Sequence, residues 1–344
     1  MVSATRESIK ELTLALQQAA TSGDGKLAAS YKNLHRGRPE FVSERFLKAR
    51  ENNVAKALKM ILDSLHWRIA NDIDSILSRP IGSKEIYDSI LESQPIGMTG
   101  YCRKGRPVFA IGVGVNGFER VPTHKYIQTH IQINEYRDQV LLPNSSRKVG
   151  HFVGTCLKIL DMSNLRLSTL SRIKVLTMIS TIDDLNYPEK TDTYYIVNTP
   201  YIFQACWKVV KPLLHDRTKR KIRVLPGSGK EELLKIMDED TLPHFCRTDS
   251  KHKDRPTETC FSPSHPFHME LWSYIKEQSC MSKCMAPSLQ KSFHITVSQP
   301  REEIQTIEEQ IQSSVAHFGD EGCSEGSSLS FSRLTMADNK DDDD

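Results

Sequence analysis

Arg217, Lys219, Arg220, Lys221 and Arg223 place five cations within seven positions. The segment just before them, 201–214, is almost all hydrocarbon, with Gln204, Lys208 and Lys211 breaking an otherwise apolar circumference. Two chemistries therefore stand side by side: charge that can hold an anion, and an oily surface that can hold acyl or aromatic groups. Each half alone has a plain explanation, a core helix and a solvated loop, and for an arbitrary sequence the core helix is the commoner outcome. The juxtaposition is what points to a site.

Other motifs do not survive inspection. Gly112-Val113-Gly114-Val115-Asn116-Gly117 fits the spacing of a dinucleotide loop, but Pro122 follows too soon for a helix to open there and hold a pyrophosphate. It reads as a flexible strand exit. Gly227-Ser228-Gly229-Lys230 lacks the first glycine of a phosphate-binding loop, and Glu231 stands where a magnesium-binding Ser or Thr belongs, so a turn and a helix start are expected. Cys280 and Cys284 with His265 and His268 match no common zinc spacing. No nucleophile elbow is present either. The expectation is a protein with no catalytic residues, no metal and no cofactor.

The elements that must position the site follow from periodicity. Ile9, Leu12, Leu16 and Ala19 recur at helical spacing and stop at Ser22-Gly23-Asp24-Gly25. A second helical stretch begins near Phe41, and Asn53 can cap a third whose Val54, Ala57, Leu58, Ile61, Leu62 and Leu65 form a stripe. Residues 83–93 read as a helix, Pro95, Gly97 and Gly100 as breakers, and Val108-Phe109-Ala110-Ile111 as a buried strand. Then come a helix over 123–142 ended by Pro143, a strand over 152–162 and a helix over 168–185. The strand 194–197, the oily helix 201–214, a short strand 222–225 and a helix 230–237 complete the series. Alternating strands and helices predict an α/β layer with a mostly parallel sheet. Past Cys246 the composition turns polar and proline-bearing, which places a boundary near residue 250. Helices at 267–278 and 301–318 each follow a proline. The tail 319–344 reads as disordered, and its closing run of aspartates resembles a tag and carries no functional weight.

At 344 residues and 38% hydrophobic content, the chain suits one large domain with a satellite, or two domains. Arg6, Glu7, Lys10 and Glu11 interrupt the first twenty residues, and no window reaches the length of a membrane span, so a cytoplasmic protein, at most peripheral to a membrane, is expected. The eight cysteines are scattered, several of them in apolar runs, as reduced thiols are. Residues 1–300 hold 43 of the 46 Lys/Arg and 31 of the 43 Asp/Glu, so the body carries +12 although the whole chain carries +3. Anionic surfaces are its expected partners. Nucleic acid is not, because neither aromatic stacking platforms nor a recognition helix is apparent.

Phe46-Leu47-Lys48-Ala49-Arg50, a helix ending in His66-Trp67-Arg68, Gly105-Arg106-Pro107-Val108, Ile159-Leu160-Asp161-Met162, Tyr187-Pro188-Glu189, Tyr195-Ile196-Val197-Asn198-Thr199-Pro200 and Lys211-Pro212-Leu213 occur in this order. Together, over about residues 30–250, they resemble the CRAL-TRIO lipid-binding family, most closely its phosphatidylinositol transfer branch in a plant-type form. The resemblance implies a helical N-terminal lobe, 1–82, and a lipid-binding domain, 83–250, whose mixed, mostly parallel sheet floors an apolar cavity closed by a mobile gate helix. A C-terminal extension with amphipathic helices, 251–318, and the tail 319–344 lie outside it. The gate falls on 201–214, with Tyr201, Phe203, Trp207, Val210, Leu213 and Leu214 toward the acyl chains. The family's head-group glutamate and lysine fall on Glu189 and Lys221, the threonine three residues before that lysine on Thr218, and an arginine of the N-terminal lobe on Arg50.

Departures from the family pattern bear on the ligand. Cys156 and Lys158 stand where the phosphatidylcholine-binding strand carries Ser and Thr, and Glu51 stands where a lysine follows the arginine. A cavity-facing Lys158 needs an anion, since a lone buried ammonium is costly, and this favours a phosphate-rich second ligand; a solvent-facing Lys158 needs none. The resemblance thus implies a monomeric carrier of phosphatidylinositol and a second lipid. Such a carrier exchanges phospholipid between membranes and presents it to lipid-modifying enzymes. The alternative is a phosphoinositide-binding adaptor that transfers nothing.

Overall fold

The structure is a computed structural model that describes residues 4–22, 25–93, 95–113, 121–166, 173–211, 214, 216–247 and 259–285. The helix expected at 301–318 and the tail lie outside the described residues. Four helices open the chain: α1 (Arg6–Ser22), α2 (Gly25–His35), α3 (Pro39–Ala49) and α4 (Val54–Ala70). Asn53 does cap α4, its side chain accepting from the Lys56 N–H. The stripes of these helices meet in one buried cluster that includes Leu12, Leu16, Phe46, Leu47, Ile61 and Leu65. Each such side chain contributes about 2 kcal/mol on burial, more than any propensity in the lobe.

A short turn of 3-10 helix (Ile73–Ser78) and α5 (Lys84–Ser93) lead to a sheet of β1 (Ile96–Tyr101), β2 (Pro107–Gly112), β3 (Cys156–Asp161), β4 (Thr191–Val197) and β5 (Ile222–Val224), ordered in space as in sequence. β1 is antiparallel to β2 and the remaining pairs are parallel. Parallel pairs need long crossovers. These are α6 (Thr123–Tyr136) with α7 (Leu142–Val149), then α8 (Ile173–Asn186), then α9 (Phe203–Val210) with α10 (Asp216–Lys219). α11 (Lys230–Leu234) and α12 (Pro266–Met285) follow β5.

Three elements differ from expectation. β1 contains the glycines read as breakers: a Cβ on Gly97 would collide with the carbonyl of Cys260, and Gly100 adopts φ +143 against Thr241. They admit close neighbours rather than end the strand. The helix from Thr123 does not stop at Pro143. It passes through a π-type turn (Arg137–Leu141) into α7, where Pro143 occupies the first turn and its missing N–H costs nothing. Finally, α12 lies beyond the expected boundary near residue 250, yet its Phe267, Leu271 and Ile275 share a buried cluster with Phe109, Ile131 and Tyr136.

The two faces of the sheet are treated differently. Val108, Leu157, Ile159 and Val197 pack against Leu233, Met237, Leu242 and Cys246 and are closed from solvent. The other face presents two rows in register, Phe109–Lys158–Tyr194–Ile222 and Ile111–Leu160–Ile196–Val224. Lys158, Leu160 and Tyr194 are only half-buried although β3 and β4 are interior strands, so this face is the open floor. Among the described residues no helix is long and apolar enough to cross a membrane.

Candidate functional site

β4 and β5 are neighbours in parallel, so the residues that feed them are brought together at one end of the open floor. Glu189 stands two residues before β4 and Lys221 one residue before β5. Lys221 Nζ donates to Glu189 Oε2 at 2.6 Å and to the Thr191 carbonyl at 3.0 Å. Arg217 Nε lies 3.4 Å from Glu189 Oε1, and Arg217 Nη1 donates to the Ala49 carbonyl at 2.9 Å, tying α10 to the end of α3. Arg217 Nη2 is buried, makes no hydrogen bond among the described residues and lies 3.8 Å from Asp184 Oδ1. That long ion pair balances charge but is beyond hydrogen-bond reach, and a buried guanidinium N–H without a close acceptor is costly. Glu189 itself has φ +58, a left-handed conformation that costs a non-glycine residue about 1 kcal/mol or more.

Glu189, Lys221, Thr218 and Lys158 all line this cleft of about 40 Å³. Arg50 does not. Its Nη1 donates to the Ala49 carbonyl, and burial together with the neighbouring Arg217 charge holds its pKa below the ordinary arginine value. Lys158 faces the floor, as the cavity-facing reading requires, and the anion beside it is the protein's own: Asp183 Oδ2 lies 3.6 Å from Nζ, and the Tyr194 ring 5.6 Å away. Burial opposes the charge of Lys158, but Tyr194 and Asp183 outweigh it and hold its pKa above the ordinary lysine value. Asp183 also accepts from Asn134 Nδ2 at 2.8 Å and lies 2.7 Å from His130 Nε2. Arg217 and Asp183 are the site residues that sequence reasoning missed. Five adjacent cations look alike in a sequence, and Asp183 differs in no visible way from Asp184.

The oily helix is shorter than expected. Pro200 starts a turn through Tyr201 and Ile202, the helix runs over Phe203–Val210, and Pro212, which has no N–H to give, follows at once. Phe203 is buried, stacks on Trp207 at 5.8 Å and packs with Met162 and Ile196 over the second floor row. Tyr201 is 88% exposed and stands outside that apolar cluster, contrary to its expected place in the cavity. Leu214 is half-buried. Leu213 and the side chain of Val210 lie outside the described residues.

A family model for the CRAL/TRIO domain matches residues 91–246. This stretch is a CRAL/TRIO domain. It holds every cleft residue named above, while Arg50 lies outside it in the helical lobe. Over 207 residues, 58% of this chain, the sequence is 30% identical to phosphatidylinositol/phosphatidylcholine transfer protein SFH12 of Arabidopsis thaliana, of which the match covers 38%. It is 31% identical over 212 residues to the SEC14 cytosolic factor of Eremothecium gossypii, covering 66% of that protein. The chain thus spans little more than a third of the length of the plant relatives SFH12 and SFH9. The crystal structure of Sfh5 superposes with a TM-score of 0.55 at 17% identity over 80% of this chain and 98% of that one, a likeness of fold.

Proposed function

We propose that this chain binds phosphatidylinositol and exchanges phospholipid between membranes. The carrying observation is the cleft of Glu189, Arg217 and Lys221, set at the end of a half-buried sheet face that α9 overlies. Relatives named as phosphatidylinositol/phosphatidylcholine transfer proteins support the same reading. In it, Glu189 accepts from inositol hydroxyls while Lys221 and Arg217 Nη2, which has only a long ion pair with Asp184, receive the phosphate. Thr218 adds a hydroxyl from the same cleft. Arg50 stands one layer behind, outside the cleft, and takes no direct part in it.

A diacyl lipid exposes about thirty methylenes, and at ~0.8 kcal/mol each its bare passage through water would cost about 25 kcal/mol. A carrier removes that barrier by covering both chains while giving the head group polar partners. Phe203 and Trp207 on α9 are the cover, and outward movement of α9 is the opening step. In the cytoplasm, the basic body of the monomer adsorbs peripherally on an anionic membrane before the helix moves. Exchange and presentation to lipid-modifying enzymes need no covalent step. Cys156 and Lys158, the latter already paired with Asp183, weigh against a choline lipid as the second ligand.

The test is phosphatidylinositol transfer between vesicles. Lys221→Ala and Glu189→Ala, checked for folding by thermal melting, are expected to lose most of the transfer; unchanged transfer would refute the head-group assignment. Mass spectrometry of lipid retained through purification separates the alternative class. A protein that binds phosphoinositide-bearing vesicles, retains no monomeric lipid and transfers none is an adaptor.

A further inference from the structure

A pocket of about 280 Å³ lies where the α2–α3 junction meets α7, and it is distinct from the Glu189 cleft, with Lys190 on the border of both. Its apolar wall carries Phe41 and Phe152, whose rings meet edge to face at 4.6 Å. A Cβ on Gly154 would collide with Phe41, so the two rings keep their room only beside glycine. Its floor carries two carboxylates, both already taken. Glu135 accepts from Arg68 Nη1 at 2.7 Å, and Asp138 pairs with Arg137 at 2.8 Å and with Lys190 at 2.9 Å.

The remaining charge in the pocket is positive. Arg45 is 3% exposed, and among the described residues it forms no ion pair. Its Nη1 donates to the Pro188 carbonyl at 2.8 Å, and its Nε is buried with no acceptor. Arg36, Arg38 and Arg147 are exposed around the mouth, also without ion pairs among the described residues. The Arg38 guanidinium lies 4.3 Å from the centre of the Phe152 ring, and that of Arg45 lies 5.3 Å from the centre of Phe41. Burial, with repulsion from neighbouring cations that Asp138 only partly offsets, lowers the pKa of Arg45 to about 10 and that of Lys190 to about 7.

We propose that this pocket binds a small phosphate monoester, with the phosphate on Arg45 and the mouth arginines and the apolar body against Phe41 and Phe152. Arginine forks match phosphate oxygens in pairs, and a dianion answers several guanidiniums that a monocarboxylate would leave in excess. The ring pair is a wall suited to an apolar or aromatic body rather than to a bare ion. The site does not depend on the lipid reading, since it shares neither Lys221 nor Arg217.

The test titrates phenyl phosphate and inorganic phosphate into the full chain by calorimetry. Phenyl phosphate is expected to bind at one site, more tightly than inorganic phosphate. Affinity should fall about tenfold or more in Arg147→Glu and in Arg38→Glu, and stay unchanged in Lys221→Ala. Both mouth residues are exposed, so the reversals should leave the fold intact, which thermal melting checks. Absence of binding, affinity in both mouth variants unchanged from the parent, or loss in Lys221→Ala would each overturn the proposal. So would binding to vesicles containing phosphatidylinositol 4-phosphate that needs Arg147 while phenyl phosphate does not bind, because the mouth would then be reading a membrane.

Discussion

Glu189 holds a backbone conformation, φ +58, that glycine adopts freely and a side chain does not. The carboxylate keeps it there, through Lys221 at 2.6 Å and Arg217 at 3.4 Å. Backbone and side-chain contributions can be separated by two variants that both lack the carboxylate. Glu189→Gly is expected to be more stable than Glu189→Ala by about 1 kcal/mol, because only alanine retains the strain. Urea denaturation of the pair measures this, and equal midpoints would mean that the turn relaxes when the carboxylate is lost. Glu189, Lys221 and Thr218 were marked out in the sequence only by the family resemblance, and the structure brings all three to one cleft. Arg217 was not so marked. Within its basic run only the fold distinguishes it: Lys219 pairs with Asp216 on the surface, whereas Arg217 reaches inward to Ala49 and Glu189.

Asp183 clamps three elements: His130 and Asn134 of α6 and Lys158 of β3 all meet the carboxylate that α8 supplies. Burial pushes its pKa up, but the His130 ring and the Lys158 ammonium outweigh this and hold it well below the usual carboxylate range. A depressed folded pKa means that the unfolded chain takes up the proton first. The clamp's stabilisation is therefore complete above the unfolded value of about 4 and is lost as pH falls through and below it. Asp183→Asn should cost about 3 kcal/mol at neutral pH, since it leaves Lys158 facing the floor without its anion. The gap to the parent should narrow by about 1.4 kcal/mol for each pH unit below about 4. Chemical denaturation at several pH values measures it, and a gap independent of pH would assign the loss to packing alone. At this scale the sequence was legible wherever one period ran unbroken, as in α4 and β3. It was misleading where an apparent breaker is accommodated: Gly97 admits the Cys260 carbonyl, and Pro143 sits in the first turn of α7. The docking of α12 is a long-range contact, and no local pattern announces which face of a helix meets a sheet formed more than a hundred residues earlier.

Taken whole, the chain has a net charge of +3, but its body, residues 1–300, carries +12; with the tag-like run 338–344 set aside, residues 301–337 still hold seven acidic against two basic residues and mask part of that charge. Adsorption on an anionic membrane depends on the body, since each well-placed Lys or Arg near the surface contributes about 1 kcal/mol and acts within a screening length of roughly 10 Å at moderate salt. The acidic segment opposes this either by repulsion from the membrane or by competing for the same cations. Both routes predict that a chain ending at residue 300 binds phosphatidylserine-containing vesicles more tightly at low salt than one ending at residue 337, in which the tag-like closing run plays no part. Both also predict that the advantage shrinks as salt rises, because charge is screened and hydrocarbon contact is not. Vesicle co-sedimentation of the two chains at about 0.05 M and about 0.5 M NaCl tests this, and the expected difference at low salt is about tenfold. Transfer kinetics add a second readout. If α9 is the slow step after adsorption, the shorter chain should saturate at lower vesicle concentration yet reach the same maximal rate. An equal vesicle affinity for the two chains, or a difference insensitive to salt, would mean that adsorption is driven by a local apolar contact such as the exposed Tyr201 rather than by the charge of the body.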